Sequence, residues 1–128
     1  MRRIPAASRG LNIERVDVSE SASISSGIAV RYATAIFEIV KETNDLPKLE
    51  ANLNELSAAL DNSADLRDLI SSPVYSREAQ GQAVAAIANQ MGLIPAVTNA
   101  LGLMSEKRRL FVLPHLIAKL RDMLADEK

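Results

Sequence analysis

The chain has 128 residues, enough for one domain with a core of its own. Its charges nearly cancel to a net −1, which gives no general attraction to nucleic acid or to acidic membranes. There is no cysteine, so disulfides, thiolate metal sites and thiol nucleophiles are excluded, and no apolar run approaches the ~20 residues a membrane-spanning helix needs. Aromatic residues are 3% of the chain, so Leu, Ile, Val, Ala and Met must fill the core, a composition that suits helix-on-helix packing.

The first residues show no sustained period. They carry Arg2, Arg3, Arg9 and Arg15, and the first acid is Glu14. Residues 1–23 read as a flexible tail, and 24–126 as the folded domain. A cleavable organelle presequence is the other reading of this Arg-bearing start.

From Gly27 to Thr43 the pattern is helical. Arg31, Thr34, Glu38 and Lys41 form one narrow polar stripe. The apolar arc opposite is far wider than a surface helix needs. A second helix follows with Leu46, Leu49, Leu53, Leu56 and Leu60 at helical spacing, a single thin seam among polar residues. Pro47 fits its first turn, where a missing N–H costs nothing.

Asp61, Asn62 and Ser63 break that seam and offer a cap to a short helix burying Leu66, Leu69 and Ile70. Pro73 ends it, because the residue before proline avoids helical dihedrals. Ser76 caps a fourth, alanine-rich helix, with Glu78 in its first turn and Gly92 as its C-cap. The fifth runs from Pro95 to about Lys107. Its apolar residues, Ala96, Val97, Ala100, Leu101, Leu103 and Met104, again span a wide arc, and Gly102 leaves a notch on it. The last helix directs Leu113, Leu116, Ile117, Leu120 and Leu124 to the core, with Pro114 in its first turn. The prediction is an all-α protein: a six-helix bundle with a flexible N-terminal tail.

Two readings fit the wide arcs of the first and fifth helices. Both helices can lie in the centre of the bundle, or each can give one face to the core and one to a partner. In the second case they form an apolar groove, and its natural guest is an amphipathic helix from another chain.

The residues point away from catalysis. His115 is the one histidine and has no partner at metal-ligand spacing. Acid pairs such as Asp61 and Asp65 read as solvated faces or caps. The five glycines are isolated, so no phosphate-cradling loop is present. Lys107, Arg108 and Arg109, with Lys119 and Arg121 beyond, lack the interleaved aromatics of a nucleic-acid surface and read as a solvated face or partner rim. No metal, no cofactor and no nucleic acid are expected.

Two segments carry a resemblance. Tyr32, Ala33, Ala35, Ile36 and Phe37 match a Tyr-Ala-x-Ala-hydrophobic-Phe pattern, and Arg108, Arg109, Leu110, Leu113 and Pro114 match an Arg-Arg-Leu turn followed by Leu-Pro. Between them, the stretch from Leu69 to Val74 is similar to a third-helix exit. In this order the chain resembles, from Ile24 to Leu124, the family of ATP synthase delta subunits and oligomycin-sensitivity-conferring proteins.

The resemblance implies a six-helix bundle atop the catalytic head, without catalytic residues. It implies that the groove between the first and fifth helices receives the N-terminal helix of an α subunit. Tyr32, Ala35, Asn99 and Leu103 carry over as groove-lining positions, to which Ile36 is added as an apolar wall and Arg108 as a rim charge. The implied role is a peripheral-stalk, or stator, subunit of the proton-translocating F-type ATP synthase. It would sit peripherally on the cytoplasmic face of the bacterial inner membrane, or on the matrix side of the mitochondrial inner membrane. The membrane would be reached only through other subunits.

The family usually continues into a second, smaller domain with a Gly-Gly-containing strand region that engages the b subunits of the stalk. The sequence stops at Lys128 before any such region, so stalk binding is expected to depend on that second domain. A generic helical adaptor with a different guest helix is the alternative.

Overall fold

The structure is a computed structural model that describes the backbone of residues 6–127 and the side chains of residues 24–127. Six α-helices follow one another: α1 (Ala6–Glu42), α2 (Leu46–Asn62), α3 (Ala64–Ser71), α4 (Arg77–Met91), α5 (Pro95–Glu106) and α6 (Leu113–Glu127), with a 3-10 turn at Leu110–Val112 before the last. No strand occurs among the described residues, as expected for an all-α bundle. The flexible tail expected over 1–23 falls partly outside the described residues. Residues 1–5 are not described, and of 6–23 only the backbone is, as the first part of α1.

The helix boundaries follow from local chemistry. Pro47 stands in the first turn of α2 and Pro95 opens α5. Ser63 both ends α2 and begins α3: its N–H donates to Ala59 O, and its Oγ accepts from Leu66 N at 3.1 Å. The Ser76 Oγ accepts from Ala79 N at 3.0 Å and starts α4.

Three helix exits share one geometry. Asn44, Gly92 and Arg108 each adopt a left-handed backbone, φ 58°, 66° and 59°. The following N–H then reaches five residues back: Asp45 to Val40 O, Leu93 to Ala88 O and Arg109 to Met104 O, at 2.9, 3.0 and 2.7 Å. This closes carbonyls that would otherwise be left open at the helix ends.

Phe37 aside, the core is built from Leu, Ile, Val, Ala and Met. α6 buries Leu113, Leu116, Ile117, Leu120 and Leu124, the five residues its periodicity assigns to the core, and packs on α1 and α2. The seam of α2 is buried at Leu49, Leu53, Leu56 and Leu60, with Leu46 half-buried. α4 packs on α5 through small side chains. A Cβ added at Gly81 would meet the Ser105 Oγ at 3.5 Å, ordinary contact, so the two helices already lie close. α5 also touches α1, so the two helices with wide apolar arcs adjoin.

Candidate partner-docking groove

Among its described side chains, α1 buries Ala29, Ala33, Ile36, Phe37 and Val40. Beside these runs a second apolar ribbon that its own chain does not cover fully. Ile28 and Tyr32 are half-buried, Ala35 is exposed, and Ile39 is 49% exposed. These positions are spaced i, i+4, i+7 and i+11, so they share one face of the helix. The other flank carries Val30, which lines a cleft against α6 with His115 and Lys119.

On α5 the buried face is Val97, Leu101, Met104 and Ser105. Ala96 and Ala100 are half-buried and Leu103 is 43% exposed, again at i, i+4 and i+7. Gly102 stands next to Leu103 with open space where a Cβ would be. Two adjoining helices therefore each carry an apolar ribbon only partly covered by their own chain.

The six residues singled out from the sequence fall into distinct environments. Tyr32 is half-buried, and Ala35 and Leu103 are exposed. Ile36 is 3% exposed, a core residue lying beneath the surface rather than a wall on it. Asn99 is exposed but lines a cleft on the α4 side of α5, with Asn89, Gly92 and Pro95. Arg108 is half-buried, and its guanidinium is engaged elsewhere: Nη1 donates to Tyr75 O at 2.7 Å and to Gln80 Oε1 at 3.3 Å, and Nη2 to Pro73 O at 3.5 Å. It ties the exit of α5 to the connection between α3 and α4.

Sequence reasoning missed two buried amides. Asn52, counted among the polar residues of α2, is 5% exposed, and its Oδ1 accepts from Ile94 N at 2.8 Å just before α5. Gln80, inside the alanine-rich helix, is 4% exposed. Its Nε2 donates to Leu69 O at 2.9 Å, while its Oε1 receives Arg108. Asn52 gave one signal: it stands one residue before Leu53 and three after Leu49, at the edge of the leucine seam. Ile39 was also absent from the candidate lining, although it lies four residues after Ala35 on the same face.

Among the described residues no group of three or more His, Asp or Glu side chains is placed to hold a metal ion, and no helix is long and apolar enough to cross a membrane.

Fold and surface define a class, all-helical bundles with uncovered apolar ribbons on two neighbouring helices. The chain belongs to the ATP synthase delta (OSCP) subunit family, whose profile it matches over residues 28–128. It is 61% identical to the ATP synthase subunit delta of Dinoroseobacter shibae over 111 residues, which are 87% of this chain and 60% of that relative. It is 59% identical to the subunit delta of Ruegeria pomeroyi over 105 residues, 82% of this chain and 56% of the relative. With the subunit delta of one Cereibacter sphaeroides strain it shares 55% identity over 111 residues, 87% of this chain and 60% of the relative. The chain thus spans about 60% of the length of the curated relatives it matches.

Proposed function

We propose that this chain is the head-binding part of a delta subunit, a non-catalytic stator component of the proton-translocating F-type ATP synthase. It receives the N-terminal helix of an α subunit between α1 and α5, and so helps to link the catalytic head to the peripheral stalk. Contact with the b subunits belongs to the part of a delta subunit that these residues do not span. The membrane is met only through those partners, on the cytoplasmic face of the bacterial inner membrane.

One observation carries this reading: Ala35 and Ile39 on α1 and Leu103 on α5 leave apolar surface in water on two helices that touch. Burial of such ribbons under an amphipathic helix is favourable at roughly 25 cal/mol per Å2 of apolar area. Tyr32 and Ala35 would line one wall and Ala100 and Leu103 the other. Ile36 supports the floor from within the core, and Asn99 stands at the outer edge. Arg108 acts at a distance by fixing the exit of α5.

Ala35 is the natural probe, because its side chain is small, exposed and central on its ribbon. Isothermal titration of the chain with a peptide from the N-terminus of a bacterial α subunit should show saturable binding with a negative heat-capacity change, the mark of apolar burial. Ala35→Trp should raise the dissociation constant at least about a hundredfold, ~2.7 kcal/mol, with the melting temperature unchanged. Equal affinity in the two proteins would remove the groove from consideration.

A further inference from the structure

A cleft of about 460 Å3 opens where α2, α3, the 3-10 turn and α6 meet. Its floor is aliphatic: Leu60, Ile70 and Ile117 are all buried. Phe111, on the 3-10 turn, lines it while 47% exposed. An aromatic residue left half exposed beside an apolar floor is surface that a ligand can cover with gain.

The charged residues lining the cleft are unevenly matched. Arg67 and Arg121 line it together with one acid, Asp61. Both guanidinium groups are held in place. Arg67 Nη1 donates to the carbonyls of Leu60 and Asp61 at the end of α2, and Arg121 Nη2 donates to Asn54 Oδ1 at 3.1 Å. Two cations and one carboxylate line the cleft, an excess of one positive charge that a further anion would balance.

We propose that this cleft binds a single-chain monoanionic amphiphile, with a carboxylate head at Arg67 and Arg121 and an aliphatic tail on Phe111, Ile70 and Ile117. The size lies in the range of small-ligand sites, roughly 300–1,000 Å3. A short alkyl chain can lie within a space of this size, whereas a docked helix would lie across its mouth and extend beyond the residues that line it. The planar carboxylate matches the fork of a guanidinium, and its single charge matches the local excess. The site shares no residue with the groove between α1 and α5, so neither depends on the other.

The test is titration of the whole chain with decanoate, followed by NMR of the Ile methyl groups and the Phe111 ring. Decanol, decyltrimethylammonium and an acidic amphipathic peptide serve as parallel arms. Saturable shifts at Ile70, Ile117 and Phe111 are expected with decanoate, while Ile39 and Leu103 stay unmoved. Arg121→Gln should weaken binding about tenfold or more, the usual loss for a hydrogen bond to a charged group. Ala118→Trp, a change at an exposed lining residue, should fill the cleft and remove binding with an unchanged melting temperature. Several results overturn the proposal: no saturable shift with decanoate, equal affinity for decanol or the cationic analogue, full affinity in either variant, or shifts centred on Ile39 and Leu103. Binding of the peptide in this cleft without binding of decanoate also overturns it, and would mark a macromolecular contact instead.

Discussion

A left-handed backbone suits glycine and is tolerated by asparagine, which is what Gly92 and Asn44 provide; Arg108 is neither. Its side chain offsets the strain with hydrogen bonds to Tyr75 O, Pro73 O and the buried Gln80. Losing them leaves half-buried acceptors without a partner, so Arg108→Ala should cost about 1.5–3 kcal/mol in urea unfolding. Arg108→Gly loses the same bonds but relieves the backbone, and should unfold about 1 kcal/mol later than the alanine variant. Equal stability of the two would mean that the strain is not there. Nearby, the phenol of Tyr75 donates to Asp68 Oδ2 at 3.3 Å. The negative charge of Asp68 chiefly, then desolvation, that hydrogen bond and Asp65, raise its pKa above the ordinary tyrosine value. The protonated phenol is the form the fold favours. Its contribution is therefore full below the usual tyrosine pKa and is lost as the pH rises through the raised one. In a Tyr32→Phe background only Tyr75 reports, and Asp68→Asn should lower its phenolate midpoint measured by absorbance. A midpoint that stays put would separate Asp68 from the effect.

The helices differ in how their stability is supplied. α2 and α6 lean on a leucine face with polar residues outside, whereas α1 and α5 leave apolar surface uncovered. Within α5, Gly102 has open space where a Cβ would stand. Gly102→Ala should therefore raise stability by about 1 kcal/mol through helix propensity alone, read as a shift in the urea midpoint. If the α-subunit helix settles against this notch, the same variant should bind the peptide more weakly. Greater stability with weaker binding would place function, and not folding, behind the glycine. A loss of stability would instead show that the space is needed by the fold.

Across the whole molecule α6 is the common support, packed on α1 and α2 and adjoining the 3-10 turn. Leu120 is 1% exposed at its middle. Leu120→Ala should cost about 2–5 kcal/mol, the lost transfer energy plus a cavity that the surrounding helices cannot fully close. The unfolding should remain a single transition when followed by circular dichroism and by the fluorescence of the tyrosines together. Two separated transitions would mean that the bundle is not one cooperative unit. Surface ion pairs matter little in comparison. Lys41 and Glu127 meet at 3.4 Å between the ends of α1 and α6, but both side chains stay about half exposed to water.

Local chemistry in the sequence marks helices α2 to α6, most of their caps and the core faces of α2 and α6, because these follow from contacts within a few residues of one another; it put the start of the first helix near Gly27, whereas α1 begins at Ala6. Ser63, Ser76 and Gly92 each end or begin a helix where their chemistry requires it, and the leucine period of α2 is a local signal. It also marked α1 and α5 as too apolar for ordinary surface helices, but could not say whether the excess was buried. It took the packing of helix on helix to put Ile36 in the core and leave Ala35, Ile39 and Leu103 in water, since one helix turn cannot know which neighbour will cover it. That packing alone sent Arg108 to carbonyls more than thirty residues away and Asn52 to the start of α5. Such polar pairings depend on which helices are brought side by side, a long-range outcome that no local period encodes.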